Sequence, residues 1–119
     1  WAPDLDNATN KKFVADFKAK TGRYPTHYAA QSYDAIMLIK SGADAVNGDM
    51  SNKDGIRAGM KKANFASVRG KFRYGNNHFP IQDFHLRQVK KDANGDWFVS
   101  YVSTVTKDHQ DTYASKCKM

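Results

Sequence analysis

Two aromatics, an imidazole and a glutamine crowd the mouth of one helical segment. In Tyr24-Pro25-Thr26-His27-Tyr28-Ala29-Ala30-Gln31 the proline and threonine open a helix. A helix start leaves backbone N–H groups free and carries the positive end of the dipole, and both favour a carboxylate. A tyrosine ring adds an apolar wall for an aryl or branched side chain. Tyr28 and Gln31 are therefore the leading candidates for a ligand site, with His27 and Tyr24 beside them. The plainer alternative makes Tyr28 and Tyr33 core aromatics and Gln31 a solvated helix residue. Behind this entrance lies the apolar run Ala35-Ile36-Met37-Leu38-Ile39. Polar and aromatic groups at a helix mouth with an apolar body behind suit a small-molecule cleft.

Other chemistry finds less support. His27, His78, His85 and His109 are scattered, without the spacing of metal ligands. Asp92-Ala93-Asn94-Gly95-Asp96 begins like a calcium loop, but its twelfth position is Ser103 rather than a bidentate acid. It reads better as a hairpin turn. The chain has no glycine-rich phosphate loop and no serine or cysteine in a nucleophile motif. No catalytic residue, metal or cofactor is expected, and the chain does not read as an enzyme. Asn7-Ala8-Thr9 fits a glycosylation acceptor and equally a helix cap.

The strongest competitor is nucleic-acid binding. Arg69-Gly70-Lys71-Phe72-Arg73-Tyr74-Gly75 interleaves basic and aromatic residues on a predicted strand, which could stack bases and neutralise phosphates. It departs from the RNA-recognition-motif strand: a lysine follows the glycine, no second aromatic strand motif precedes it, and helices come first. A basic nucleic-acid module is thus the alternative reading, and nucleic acid is not expected as a partner.

The chain has 119 residues, 40% of them hydrophobic, enough for one small domain with a modest core. Its net charge of +7 comes from lysines and arginines spread along the sequence, as on a solvated surface. No apolar run approaches the roughly 20 residues that cross a bilayer. It opens on Trp1-Ala2-Pro3-Asp4, with no initiator methionine and no signal peptide, so a processed form or a fragment of an exported protein is expected. A lone cysteine, Cys117, cannot close a disulfide within the chain; in an exported protein it hints at a partner elsewhere.

The elements that must position these groups are legible in outline. Asn7 or Thr9 caps a first helix with Phe13, Val14 and Phe17 on one stripe, and Gly22 stops it. Thr26 caps a second helix reaching about Asn47-Gly48. Its apolar residues Tyr33, Ile36, Met37 and Leu38 predict burial on more than one face, as for a central helix. Ser51 or Asn52 caps a third helix to about Ala63, a surface helix with the narrow stripe Ile56, Met60 and Ala63. The period then changes. Residues 70–74 predict a short strand, 75–80 a loop, and 84–91 and 96–105 the arms of a hairpin. Trp97, Val99 and Tyr101 share one face and Phe98 and Val102 the other, which predicts cover on both sides. The polar tail from Lys107 to Met119 predicts a loop with a short helix.

The order of these features resembles the type I periplasmic substrate-binding proteins of ABC importers, in the branched-chain amino-acid and aromatic-acid binding family. The resemblance rests on Phe13-Val14-Ala15-Asp16-Phe17-Lys18-Ala19-Lys20-Thr21-Gly22, on Ser32-Tyr33-Asp34-Ala35, on the Asp54–Ala63 helix leading to Val68-Arg69-Gly70-Lys71-Phe72-Arg73-Tyr74, on Asn76–Phe84, and on the closing strand pair around Asn94-Gly95 with its Cys-Lys-Met end. It implies an α/β fold: the C-terminal third of a two-lobed protein, with three helices followed by a short strand and a β-hairpin. Residues 1–66 would be the mainly helical part and 67–119 the strands and tail, contributing to both lobes. The implied function is periplasmic capture of a small organic acid between the lobes and delivery to a membrane permease. Asn76–Phe84 resembles the aromatic-acid branch, so an aromatic carboxylate is expected; a branched-chain amino-acid ligand is the alternative within the family. The rest of the parent protein would cover the open faces of this portion, and without it the chain is expected to self-associate.

Overall fold

The computed structural model describes residues 1–118. Three helices, α1 (Ala8–Thr21), α2 (His27–Asp44) and α3 (Lys53–Lys62), precede three strands, β1 (Arg73–Tyr74), β2 (Pro80–Lys91) and β3 (Trp97–His109), and a 3₁₀ turn at Ala114–Lys116. The strands form one antiparallel sheet in the order β1-β2-β3.

The helix starts are set by side chains. Asn7 Oδ1 accepts from the N–H groups of Thr9 and Asn10, Thr26 Oγ1 from Ala29, and Asn52 Oδ1 from Gly55. Gly22 ends α1 in the left-handed conformation (φ 72°). The second helix stops at Asp44, earlier than the sequence suggested. Residues 45–48 instead form a turn in which Gly48, at φ 82°, returns its N–H to the Ala43 carbonyl at 2.9 Å.

The α2–α3 contact depends on glycine. A Cβ on Gly42 would stand 2.7 Å from Met60 Cγ, and one on Gly59 would stand 2.6 Å from Ala45 Cβ. The stripe of α3 predicted from Ile56 and Met60 is therefore the stripe that packs. An aromatic seam of Trp1, Phe13, Phe17 and Tyr33 joins α1, α2 and the first residues. The opening segment is tied down at both ends. Asn10, fully buried, donates to the carbonyls of Ala2, Pro3 and Leu5, and the Asp4 carboxylate accepts from the Ser100 hydroxyl and the Tyr101 N–H on β3.

The hairpin arms are longer than the sequence implied. β2 begins at Pro80 rather than 84, and β3 continues to His109 rather than 105. Register shifts between Gln82 and Arg87 absorb the extra residues. The first strand shrinks to Arg73–Tyr74. At the tip, Asp92 Oδ1 accepts from the N–H groups of Asn94 and Asp96, as turn chemistry requires.

Burial leaves open the faces that the rest of a parent protein was expected to cover. The buried hydrophobic residues described are Ala2, Ala30, Val68, Ile81 and Ala114. The second helix buries Ala30, Asp34, Ser41 and Gly42, but Ile36 and Ile39 project outward. Both faces of the hairpin are open, with Trp97, Val99, Tyr101, Val102 and Val105 exposed. The chain forms a slab only 19 Å across its shortest axis, and packed layers are about 10 Å thick, so no third layer covers these faces. Leaving a few hundred Å² of apolar surface wet costs several kcal/mol, on the order of a small domain's whole stability. The 119-residue chain studied alone should therefore sediment as a dimer or larger; a cooperatively melting monomer at micromolar concentration would contradict this.

Candidate functional site

The cleft at the start of α2 is built from three elements. His27 and Gln31 come from the first turns of α2, Arg69 from the segment before β1, and Gln82, His85 and Arg87 from β2; together they line a cavity of about 330 Å³. A neighbouring cavity of about 450 Å³ shares Gln31, Arg69, Gln82 and Phe84 and adds Phe79 and His109. Gln31 and Arg69 also line a third hollow of about 220 Å³ toward Leu38 and Tyr74.

Arg69 is held by a buried hub. The Asp34 carboxylate, 3% exposed, accepts from Arg69 Nε (2.9 Å), the Ser67 hydroxyl (2.6 Å) and the Val68 N–H (3.1 Å). A terminal nitrogen of Arg69 donates to Gln82 Oε1 at 3.1 Å, and the guanidinium lies over the Phe72 ring. Asp34 thus anchors α2, the 67–69 segment and, through Arg69, strand β2. Arg87 differs: it donates to the Trp1 carbonyl at 3.1 Å and joins no ion pair among the described residues, so its remaining donors are free for a ligand.

Positive charge dominates the electrostatics. Partial burial, then the charges of Arg87 and Arg69, hold the His27 imidazole below its ordinary value. Partial burial, with a smaller push from Arg87, does the same to His85, against the opposing pull of Asp83. The sign is that of a site refusing further protons. The unfolded chain has ordinary imidazoles, so this stability is present above about pH 6.5 and is lost as pH falls below it. The melting temperature should fall as the pH drops below about 6.5. Replacing both histidines with glutamine should flatten the low side; an unchanged profile would contradict this.

The four residues nominated from sequence land in three places. Gln31 and His27 meet in the cleft. Tyr28 is 77% exposed and lines none of these cavities; its ring stands edge-on to His27 at 6.1 Å. Tyr24 stands apart at the hairpin tip: its hydroxyl donates to Asp92 at 2.9 Å, its ring stacks on Phe98 at 4.8 Å, and Lys18 lies over its other face. Sequence reading did not nominate Arg69, Gln82, His85 or Arg87 for this site. The signal present was period-two spacing along β2, which puts His85 and Arg87 on one face, but it needed the register to be seen.

The larger open hollow of about 810 Å³ between the start of α1 and residues 65–73 offers less chemistry. Its Arg73 is paired with Asp108, and among the described residues no buried side-chain polar atom lacks a partner. The strand weighed as a base-stacking platform spends its groups internally: Phe72 packs between Phe65 and Tyr74 under Arg69.

Residues 1–95 match the model of the periplasmic binding protein family. No curated protein matches the chain. Among solved structures, a solute-binding protein of an ABC transporter from R. palustris in complex with benzoate is 35% identical, with a TM-score of 0.86 over 100% of this chain and 31% of its own. A second, from Rhodopseudomonas palustris BisB5 in complex with 3,4-dihydroxybenzoic acid, is 25% identical (TM-score 0.79), over 94% of this chain and 30% of its own. A substrate-binding protein from Sphaerobacter thermophilus, 21% identical (TM-score 0.78, over 91% of this chain and 30% of its own), shares the fold. The chain therefore spans about a third of the length of the structures it matches.

Proposed function

This chain belongs to the periplasmic binding protein family, and from that premise we propose that it forms the C-terminal part of a two-lobed solute-binding protein for an ABC importer. In this reading residues 1–66 and 67–119 serve both lobes. The protein captures a small aromatic carboxylate in the periplasm and hands it to a membrane permease, with no bond made or broken. Lobe closure around the ligand would shift an open–closed equilibrium that exists without it.

The observation that carries the reading is the convergence of Arg87, Arg69, His27, Gln31 and Gln82 on one cleft beside the Phe84 ring. Charge-assisted and amide donors suit a carboxylate, and an aromatic wall suits an aryl ring. The benzoate and dihydroxybenzoate bound by the two R. palustris proteins support the same class. Within it, Gln31 and His27 contact the ligand, Tyr28 closes over it as the outer rim, and Tyr24 braces the start of α2.

One feature favours the branched-chain amino-acid alternative: Asp83 lies on the cleft lining and could receive an ammonium. Titration calorimetry on the full-length protein carrying this chain separates the two. Benzoate or a hydroxybenzoate should bind, and leucine, isoleucine and valine should not. Gln31→Ala and Tyr28→Ala should each weaken binding by about 1–3 kcal/mol. Binding of the aliphatic amino acids alone would overturn the aromatic-acid assignment, and unchanged affinity in both variants would remove those residues from the site.

A further inference from the structure

The cleft contains one ring whose second nitrogen is unused. His85 pairs across the hairpin with Thr104, and its Nδ1 lies 3.2 Å from the Thr104 hydroxyl oxygen. That oxygen lies 3.1 Å from the Tyr101 hydroxyl, and the His85 ring packs edge-on against the Tyr101 ring, centroids 5.3 Å apart. Two groups on β3, the Thr104 hydroxyl and the Tyr101 ring, thus fix the imidazole plane. Among the described residues only Nδ1 of this ring is engaged by another side chain, and the ring lines the cavity shared by His27, Gln31 and Arg87.

The direction of the hydroxyl chain follows from acidity. A phenol is a far stronger acid than an aliphatic alcohol, hence the better donor and poorer acceptor. Tyr101 therefore donates to Thr104, whose single proton goes on to His85. Nδ1 then accepts, and the ring's own proton sits on Nε2. Partial burial and the nearby Arg87 keep the ring neutral, so this tautomer has meaning at physiological pH.

We propose that His85 is a ligand-contacting donor: Tyr101 and Thr104 hold it as the Nε2–H tautomer, and that N–H reads an oxygen acceptor on the bound acid. This rests on the organic-acid reading above. It assigns Thr104 and Tyr101 a positioning role, although neither is among the residues lining the cavity. A fixed donor at this point also disfavours an ammonium there, because two donors would face each other without an acceptor.

The test uses full-length protein with ¹⁵N-labelled histidine and benzoate as the probe. Wild type should give the Nε2–H signature for His85, and Thr104→Val, which keeps the shape but removes the hydroxyl, should give mixed tautomers. Benzoate affinity should fall about tenfold in His85→Leu and roughly threefold to fivefold in Thr104→Val, with melting temperatures near wild type. An Nδ1–H signature in the wild type would overturn the proposal, as would unchanged benzoate affinity in a normally folded His85→Leu. Failure of wild type to bind any aromatic acid would sink the functional reading instead, and the tautomer signature would still decide whether Tyr101 and Thr104 set the ring.

Discussion

Replacing Asp34 with alanine should cost about 3–5 kcal/mol of stability, the largest loss expected from any single substitution in this chain. The carboxylate is 3% exposed and meets three donors on one short segment: the Ser67 hydroxyl, the Val68 N–H and the Arg69 guanidinium. Its removal leaves the Val68 N–H in a fully buried residue without an acceptor and strips Arg69 of its counter-charge. Asparagine should cost nearly as much. Its amide keeps one acceptor oxygen but turns an NH₂ toward donors, so the near-equal losses would identify acceptor capacity rather than volume as what matters. Denaturant titration of wild type and both variants checks this. A loss below about 1 kcal/mol in alanine would mean that the hub contributes little net free energy.

Arg69→Met should damage stability and binding together. The guanidinium engages Asp34 beneath, Gln82 alongside and the Phe72 ring beside it, and it lines the three adjoining hollows. The loss should be about 2–4 kcal/mol, smaller than at Asp34 because Ser67 and Val68 still serve the carboxylate. Benzoate affinity should also fall at least tenfold, since Gln82 loses the partner that orients it. Arg69→Lys tells the two roles apart. A lysine can still pair with Asp34 but cannot reach Gln82 with a rigid fork, so stability should recover more than affinity does. Equal recovery of both would show that only charge matters at this position.

Much of the architecture was legible because local chemistry dictated it. Asn7, Thr26, Asn52 and Gly22 mark helix ends with groups that have one good place to go, and the structure uses each as expected. The Asp92–Asp96 turn was equally explicit. The length of the hairpin was not, because the register shifts between Gln82 and Arg87 put the extra residues on β3 and break the alternation that a reader follows. On α2 and β3 the apolar pattern says which faces want cover, and those faces stand open in this chain, as expected of a portion of a longer protein. Of the cleft, sequence located the mouth, Gln31 and His27. The opposing wall comes from β2, more than fifty residues away, and no local pattern ties Arg87 or His85 to Gln31. Asp34 was in view only as part of a familiar helix signature; its partners at 67–69 emerge from tertiary folding alone.

The docking of the first residues onto β3 carries a consequence for how the chain acquires its structure. Asp4 meets Ser100 and Tyr101 across separations of 96 and 97 residues. Contacts between such distant positions raise the mean sequence separation, which slows the search for the native state. The residues around Asp4 find their seat only when β3, nearly a hundred positions later, is in place. During synthesis the Asp4 carboxylate must wait without its Ser100 and Tyr101 partners until the hairpin has emerged and closed.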